Sequence, residues 1–187
     1  MKKEIILASG SPRRRELLNQ IGIDFTVITS DADEITTEKS PEKIVMQLSS
    51  LKAEAVAKLP VKKNTAAVQK SAAASFGDSD NYVIIGADTI VYADGQVLGK
   101  PRDERHAFDM IKSLSGSSHS VYTGVTFICG KEKMSFYEQT EVYVYDMTDE
   151  EIQKWTEKAK ANGDYIMLAL LTFAQVYKDK RSKFTTP

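Results

Sequence analysis

LASGSPRRR, residues 7–15, joins the first predicted strand of this chain to its first predicted helix. The apolar residues before Ser9 predict a buried strand. Ser11 followed by Pro12 is typical of a helix that begins at the proline. Gly22 is expected to follow the end of that helix, because glycine is the commonest residue at this position. The stretch therefore predicts a strand that turns into a helix through small residues.

Three consecutive arginines, Arg13 to Arg15, lie in the first turn of this predicted helix. A helix N-terminus presents unpaired N–H groups and the positive end of the helix dipole, so cations there are unfavourable unless an anion binds. Arg13 and Arg14 therefore predict a phosphate-binding loop, whereas Arg15 is interpreted as a solvated surface residue. The alternatives are a basic helix start without a ligand and the triphosphate-binding loop of a nucleotidyltransferase.

Composition limits the class of protein. The 187 residues are enough for one domain with a substantial core, and the net charge of −1 argues against general nucleic-acid or membrane-surface binding. Cys129 is the only cysteine, so no internal disulfide is expected, which fits a reducing cytoplasm. The longest apolar run, residues 165–176, is too short to span a bilayer. We expect one cytoplasmic domain over residues 1–187, with neither nucleic acid nor membrane as a partner.

The middle of the chain predicts a second helix and an insertion. Ser40 and Pro41 begin the helix, and Lys52 lies beside its apolar face, where it either extends to solvent or reaches over the edge of a cleft. Residues 60–81 are polar and lack periodicity, which predicts a mobile surface insertion. The apolar positions recur every three or four residues: Ile44, Leu48, Leu51, Ala55 and Leu59.

Strands and helices alternate at first, and strands pair later in the chain. The sequence predicts a buried strand over 82–87, a hairpin at 93–96, a helix beginning near Asp103, two long strands over 119–129 and 134–145, and a helix opened by a capping box at Thr148. This order favours an α/β fold with a mixed, curved sheet.

Asp88 is the strongest candidate for chemistry outside the first loop. It directly follows the predicted strand 82–87, and open α/β sheets bind ligands at the carboxyl ends of their strands. A buried carboxylate there suits a general base or a metal ligand. The alternative is an aspartate that only forms a turn.

Glu34 and Lys100 complete the set of residues predicted to bind a polyphosphate and a metal. Glu34 belongs to an acidic group with Asp31 and Asp33, and together with Asp88 it offers the hard oxygen ligands that Mg²⁺ prefers, although a solvated acidic loop is the simpler interpretation. Lys100, between glycine and proline, suits a phosphate contact or an ordinary surface lysine. The cations Arg13, Arg14, Lys52 and Lys100 would neutralise a polyphosphate, and Glu34 and Asp88 would hold a metal and activate water.

These motifs resemble the Maf family over roughly residues 1–157, apart from the insertion. The matching segments occur in the family's order: LASGSPRR (7–14), Asp33-Glu34, Leu51-Lys52-Ala53, GADT (86–89), GKP (99–101), LSG (114–116), YTGV (122–125) and Thr140-Glu141-Val142.

The resemblance implies a nucleoside triphosphate pyrophosphatase, similar to the branch that acts on dTTP and UTP. Such enzymes need a divalent metal, Mg²⁺ or Mn²⁺, have two lobes around a cleft as in inosine-triphosphate pyrophosphatases, and often form homodimers. By the same resemblance Asp88 is the general base and Glu34 a metal ligand. Ser9, Arg13, Arg14, Lys52 and Lys100 would contact the phosphates or position the nucleotide.

Residues 158–187 depart from the family pattern. The segment Asp-Lys-Ala-Gly-x-Tyr-Gly-Ile-Gln-Gly, whose glutamine helps to select the base, has no counterpart here. One hypothesis is that this tail is translated out of frame, which sequencing of the locus would test. A second is that the chain binds nucleotide without turnover and acts in the control of cell division and septum formation, with which the family is linked.

Overall fold

The elements of the fold follow from the local signals of the sequence. The computed structural model describes residues 3–29, 31, 34–60, 75–78, 80–99 and 101–162, with the backbone alone for 158–162. Lys100, Asp33 and residues 163–187 therefore lie outside the described residues. The helices and strands are β1 (Glu4–Ala8), α1 (Pro12–Gln20), β2 (Thr26–Val27), α2 (Pro41–Ala57), β3 (Tyr82–Ala93), β4 (Gln96–Leu98), α3 (Glu104–Leu114), β5 (Ser118–Cys129), β6 (Glu132–Tyr143) and α4 (Asp149–Asn162).

The described strands form one six-stranded sheet in the order β2-β1-β3-β5-β6, with β4 paired to β3 outside this path. β1 lies parallel to both of its neighbours, so that Leu7 is opposite Val27 and Ala8 is opposite Gly86. β3 and β4 are antiparallel, which makes the sheet mixed. The predicted α/β class with a mixed sheet is confirmed, while the curvature of the sheet and the cleft stay predictions.

β3 is longer than the sequence predicts. It continues through Asp88 to Ala93, so the interpretation of Asp88 as the residue after a strand is wrong. The physical reason is that β3 is hydrogen-bonded to β5 as well as to β1, so it does not have to end where β1 ends. Beyond Gly86 the parallel pairing to β1 stops, and from Val91 onward β3 pairs with β4. Asp88 nevertheless lies two positions past the end of the β1 pairing, at the carboxyl end of β1.

Two glycines let the backbone of α2 lie directly against the sheet. A Cβ added to Gly86 would lie 2.2 Å from the carbonyl oxygen of Ser49, and one added to Gly124 would lie 2.2 Å from that of Val45. Only hydrogen at these positions leaves room for the helix. The residues of α2 that face the sheet are accordingly small: Val45, Ser49, Ala53 and Val56 are all fully buried.

This close approach corrects the predicted face of α2. Leu51 and Ala55, assigned to the apolar face, are only partly buried. The most deeply buried residues of α2 are instead the four that face the sheet. Lys52 flanks that face beside Ala53, as expected. The buried hydroxyl of Ser49 is satisfied by the carbonyl of Met46 and by the hydroxyl of Thr126 at 2.8 Å.

The described residues fall into two compact units, the first being Met1–Thr89 with Tyr122–Glu138 and the second Ile90–Val121 with Gln139–Pro187. The core of the first unit joins the strands to α2 through Ile6, Ala8, Ala53, Val56, Ile84 and Ile128. The core of the second unit is formed by α3, α4 and the residues before α4: Ile111, Leu114, Val144 and Ile152.

The ends of the predicted insertion 60–81 belong to the first unit. Pro60 forms an antiparallel bridge with Ser75. Phe76 packs on the core of that unit and makes an edge-to-face contact with Tyr82, with 5.0 Å between the ring centres. That residues 60–81 form a mobile insertion stays a prediction. Residues 61–74 lie outside the described residues.

Candidate phosphate and metal site

The loop after β1 and the start of α1 form the wall of a small cavity in the first unit. The cavity has a volume of about 220 Å³ and is lined by Ala8, Ser9, Gly10, Ser11, Arg14, Thr29, Glu34 and Lys52. Ser11 is the N-cap residue and Pro12 begins the helix, as predicted. The backbone N–H of Ser11 is directed to the Ser9 hydroxyl at 3.3 Å, which keeps the loop closed on itself.

The three arginines of α1 point in different directions. Arg14 lines the cavity, Arg13 pairs with Glu16 at 3.3 Å on the surface, and Arg15 donates to the carbonyl of Gly10 at 2.9 Å. Successive helical residues are rotated by about 100°, so adjacent side chains do not share one face. The structure thus brings Arg14 to the loop and leaves Arg13, predicted with it, outside the cavity lining.

A chain of hydroxyl groups holds the Arg14 guanidinium. Its Nη1 donates to Ser9 Oγ at 2.8 Å, and its Nη2 donates to Thr89 Oγ1 at 3.4 Å. Thr89 in turn bonds to Thr123 Oγ1 on β5 at 3.1 Å. Burial lowers the pKa of Arg14, and the Asp88 and Glu34 carboxylates oppose this effect by raising it. Arginine remains charged even when it is buried, so the cavity contains a fixed, oriented cation.

Both candidate carboxylates contact the same ammonium group. Lys52 Nζ binds Asp88 Oδ1 and lies 3.1 Å from Glu34 Oε1. Asp88 is buried, while the side chain of Glu34 is 60% exposed. The structure therefore brings together five of the predicted residues: Ser9, Arg14, Glu34, Lys52 and Asp88.

The carboxylates of the site fit part of the ligand shell of a divalent cation. One ammonium contacts both Glu34 and Asp88, so the two carboxylates face a common point, and together they would be the protein ligands of a shared metal. Within the described part of the chain, no group of three or more His, Cys, Asp or Glu side chains converges on a metal position. Two carboxylates are the set that Mg²⁺ commonly takes from protein, with phosphate oxygens and water completing its shell.

Thr89 and Thr123 are site residues for which no individual role was predicted from the sequence. Both lie in the segments GADT and YTGV that carry the family resemblance, so a signal was present. The patterns gave them no role, however, because hydroxyl contacts between β3 and β5 depend on the order of the strands.

Comparison with known proteins assigns the chain to a family. The sequence model of one family, described as Maf-like protein, matches residues 4–168. The chain belongs to the Maf family. The match extends into the segment 158–187 that the sequence analysis set apart. No helix in the described residues is long and apolar enough to cross a membrane.

Among its Maf relatives are two bacterial proteins named dTTP/UTP pyrophosphatase. The one from Lachnoclostridium phytofermentans is 40% identical over 201 aligned positions that cover 94% of this chain and 93% of the relative. The one from Agathobacter rectalis is 45% identical over 203 positions, covering 95% and 96%. The chain is also similar to the solved Ham1 protein of Staphylococcus aureus, with a TM-score of 0.45, 16% identity and coverage of 79% and 73%.

The hydroxyl chain leads to a prediction about Thr123. We expect Thr123→Val to raise the Kd for inorganic tripolyphosphate about fivefold, because loss of one hydrogen bond costs about 1 kcal/mol and leaves Thr89 and Arg14 less firmly oriented. Isothermal titration calorimetry measures the change. Thr123→Ser keeps the hydroxyl and should bind like the unaltered protein. An unchanged Kd in the valine variant would show that Thr123 does not position Arg14.

Proposed function

We propose that this Maf protein hydrolyses nucleoside triphosphates, dTTP and UTP first among them, to the monophosphate and pyrophosphate with a divalent metal. The observation that carries the proposal is the meeting of Arg14, Lys52, Glu34 and Asp88 around one loop at a helix N-terminus. The family match and the names of the two relatives support the same reaction.

The loop and Arg14 would bind the phosphates. The start of α1 offers unpaired backbone N–H groups and the positive end of the helix dipole, both of which favour an anion. Arg14 adds a planar charged donor that is already held by Ser9 and Thr89. A donor fixed before the substrate arrives stabilises negative charge without reorganisation, which is the main source of catalysis in phosphate chemistry.

Asp88 would act as the general base. Its carboxylate is buried beside Lys52, and a base held in a water-poor site accepts a proton from a water molecule placed against the substrate. Glu34 and Asp88 would hold the metal, which supplies charge neutralisation and a more acidic bound water. Ser9 would hydrogen-bond a phosphate oxygen. The roles predicted for Arg13 and Lys100 have no support from the described residues.

A panel of triphosphates tests the substrate class. We expect pyrophosphate release in the presence of Mg²⁺ to be at least tenfold faster from dTTP and UTP than from ATP and GTP, and to stop when the metal is chelated. A tenfold preference corresponds to about 1.4 kcal/mol in the transition state. Equal rates on all bases would contradict the dTTP and UTP preference.

A binding measurement on the same panel tests the alternative function. Nucleotide binding without release of pyrophosphate would favour the reading of the chain as a regulatory nucleotide-binding protein. The homodimer, the cytoplasmic location and the link to septum formation stay predictions.

A further inference from the structure

Lys52 lies between Glu34 and Asp88, the two carboxylates that would hold a metal ion. Its ammonium is the one described cation that contacts both carboxylates. Its side chain is only 18% exposed. The ammonium therefore does more than cover the surface of α2, because it occupies the space between the two candidate metal ligands.

The charges of the cavity are balanced in this state. Arg14 and Lys52 each contribute one positive charge, and Glu34 and Asp88 each contribute one negative charge, so these four groups sum to zero. A divalent cation that enters alone would meet a neutral site and the repulsion of a close ammonium. A triphosphate that enters with the metal brings negative oxygens to which the Lys52 ammonium can move.

We propose that the Lys52 ammonium takes the place of the divalent cation in the free protein, so that metal binds tightly only together with the triphosphate. This inference rests on the proposed function, because it assumes that the substrate carries phosphates. No bond forms or breaks in the exchange. Lys52 leaves Glu34 and Asp88, the carboxylates bind the metal, and the ammonium pairs with a phosphate oxygen.

The exchange has a consequence that a purely structural ion pair would lack. If Lys52 only stabilised the fold, its removal would lower stability and would leave unchanged the factor by which nucleotide raises metal affinity. If it holds the metal position, its removal must raise the affinity of the free protein for a divalent cation and reduce that factor. Metal affinity measured without and with nucleotide therefore separates the two roles.

Binding of Mn²⁺ to the free protein, measured by electron paramagnetic resonance, provides the test. We expect Lys52→Met to bind Mn²⁺ at least about tenfold more tightly than the unaltered protein, since a neighbouring positive charge has been removed. Lys43→Met is the matched control, because it removes an exposed lysine from the same helix. Its Mn²⁺ affinity should equal that of the unaltered protein. The double variant Lys52→Met with Asp88→Asn should lose the gain.

A second measurement uses the unaltered protein and does not depend on the folding of a variant. A non-hydrolysable α,β-imido analogue of dTTP should raise its affinity for Mn²⁺ at least about tenfold, after correction for metal bound by the free analogue. Equal Mn²⁺ affinity in Lys52→Met and the unaltered protein, or an analogue that leaves the affinity unchanged, would overturn the proposal. The Mn²⁺ comparison of the free proteins requires no turnover. Its result therefore does not depend on whether the protein has the proposed pyrophosphatase activity.

Discussion

Asp88→Asn is expected to reduce the turnover of dTTP by about 10²- to 10⁴-fold, the range that a general base contributes. The amide has nearly the shape of the carboxylate but cannot accept the proton of the attacking water. It also replaces a charged partner of Lys52 with a neutral one. The measurement is steady-state release of pyrophosphate at saturating dTTP, with circular dichroism to show that the variant is folded.

Asp94→Asn provides the matched control for this prediction. It makes the same chemical change at an exposed aspartate in the tight turn between β3 and β4, where φ is +49° and asparagine is well tolerated. Its turnover should equal that of the unaltered protein. An Asp88→Asn variant that keeps more than a tenth of the activity would show that Asp88 is not the base.

Gly86→Ala is expected to lower the free energy of unfolding by about 3 kcal/mol or more, and Gly124→Ala to do the same. At each position the added methyl group would lie within 3 Å of backbone atoms of α2. These are Ser49 O and Ala53 N for Gly86, and the carbonyl carbon and oxygen of Val45 and the nitrogen of Met46 for Gly124. Backbone atoms cannot rotate away as the end of a side chain can. The whole helix must move, and Lys52 moves with it.

Urea unfolding followed by circular dichroism measures both changes. Gly99→Ala is the control, since a Cβ at Gly99 meets nothing within 4 Å and should change the stability by less than about 0.5 kcal/mol. If Gly86→Ala and Gly124→Ala are as stable as Gly99→Ala, α2 does not lie against the sheet at the distance described here.

Local signals were enough to predict the first turn of the fold. Ser11, Pro12 and Gly22 marked the two ends of α1, and Gly22 has the positive φ of +71° that its position requires. The capping box before α4 forms as predicted, with Thr148 and Glu151 bonded to each other's backbone N–H. Such signals depend on neighbours within a few residues, so no knowledge of the fold is needed to find them.

Side-chain direction could not be predicted in the same way. The sequence places Arg13 and Arg14 in one helical turn, but the orientation of α1 relative to Ser9 and Thr89 decides which of them enters the cavity. The face of α2 was predicted correctly at Ile44 and Leu48 but not at Leu51 and Ala55, for a similar reason. Its burial is set by two glycines far away in sequence, Gly86 and Gly124, that admit the helix backbone and favour small residues against it.

The continuity of β3 illustrates a third limit. Asp88 interrupts an apolar run, and the sequence therefore suggested a strand end. The strand instead continues through Asp88, with β5 as a hydrogen-bonded neighbour, and its pairing with β4 begins only at Val91. Asp88 lies at the carboxyl end of β1, close to the loop with Arg14, because the parallel pairing of β1 and β3 brings these two segments together.

The products formed from dTTP distinguish a pyrophosphatase from the alternatives. In the presence of Mg²⁺ we expect dTMP and pyrophosphate in equal amounts, with no dTDP and no inorganic phosphate. Chromatography of the nucleotide, combined with separate assays for pyrophosphate and phosphate, measures all four. Formation of dTDP and phosphate, or tight binding of dTTP without any product, would contradict the assignment of this site as a nucleoside triphosphate pyrophosphatase.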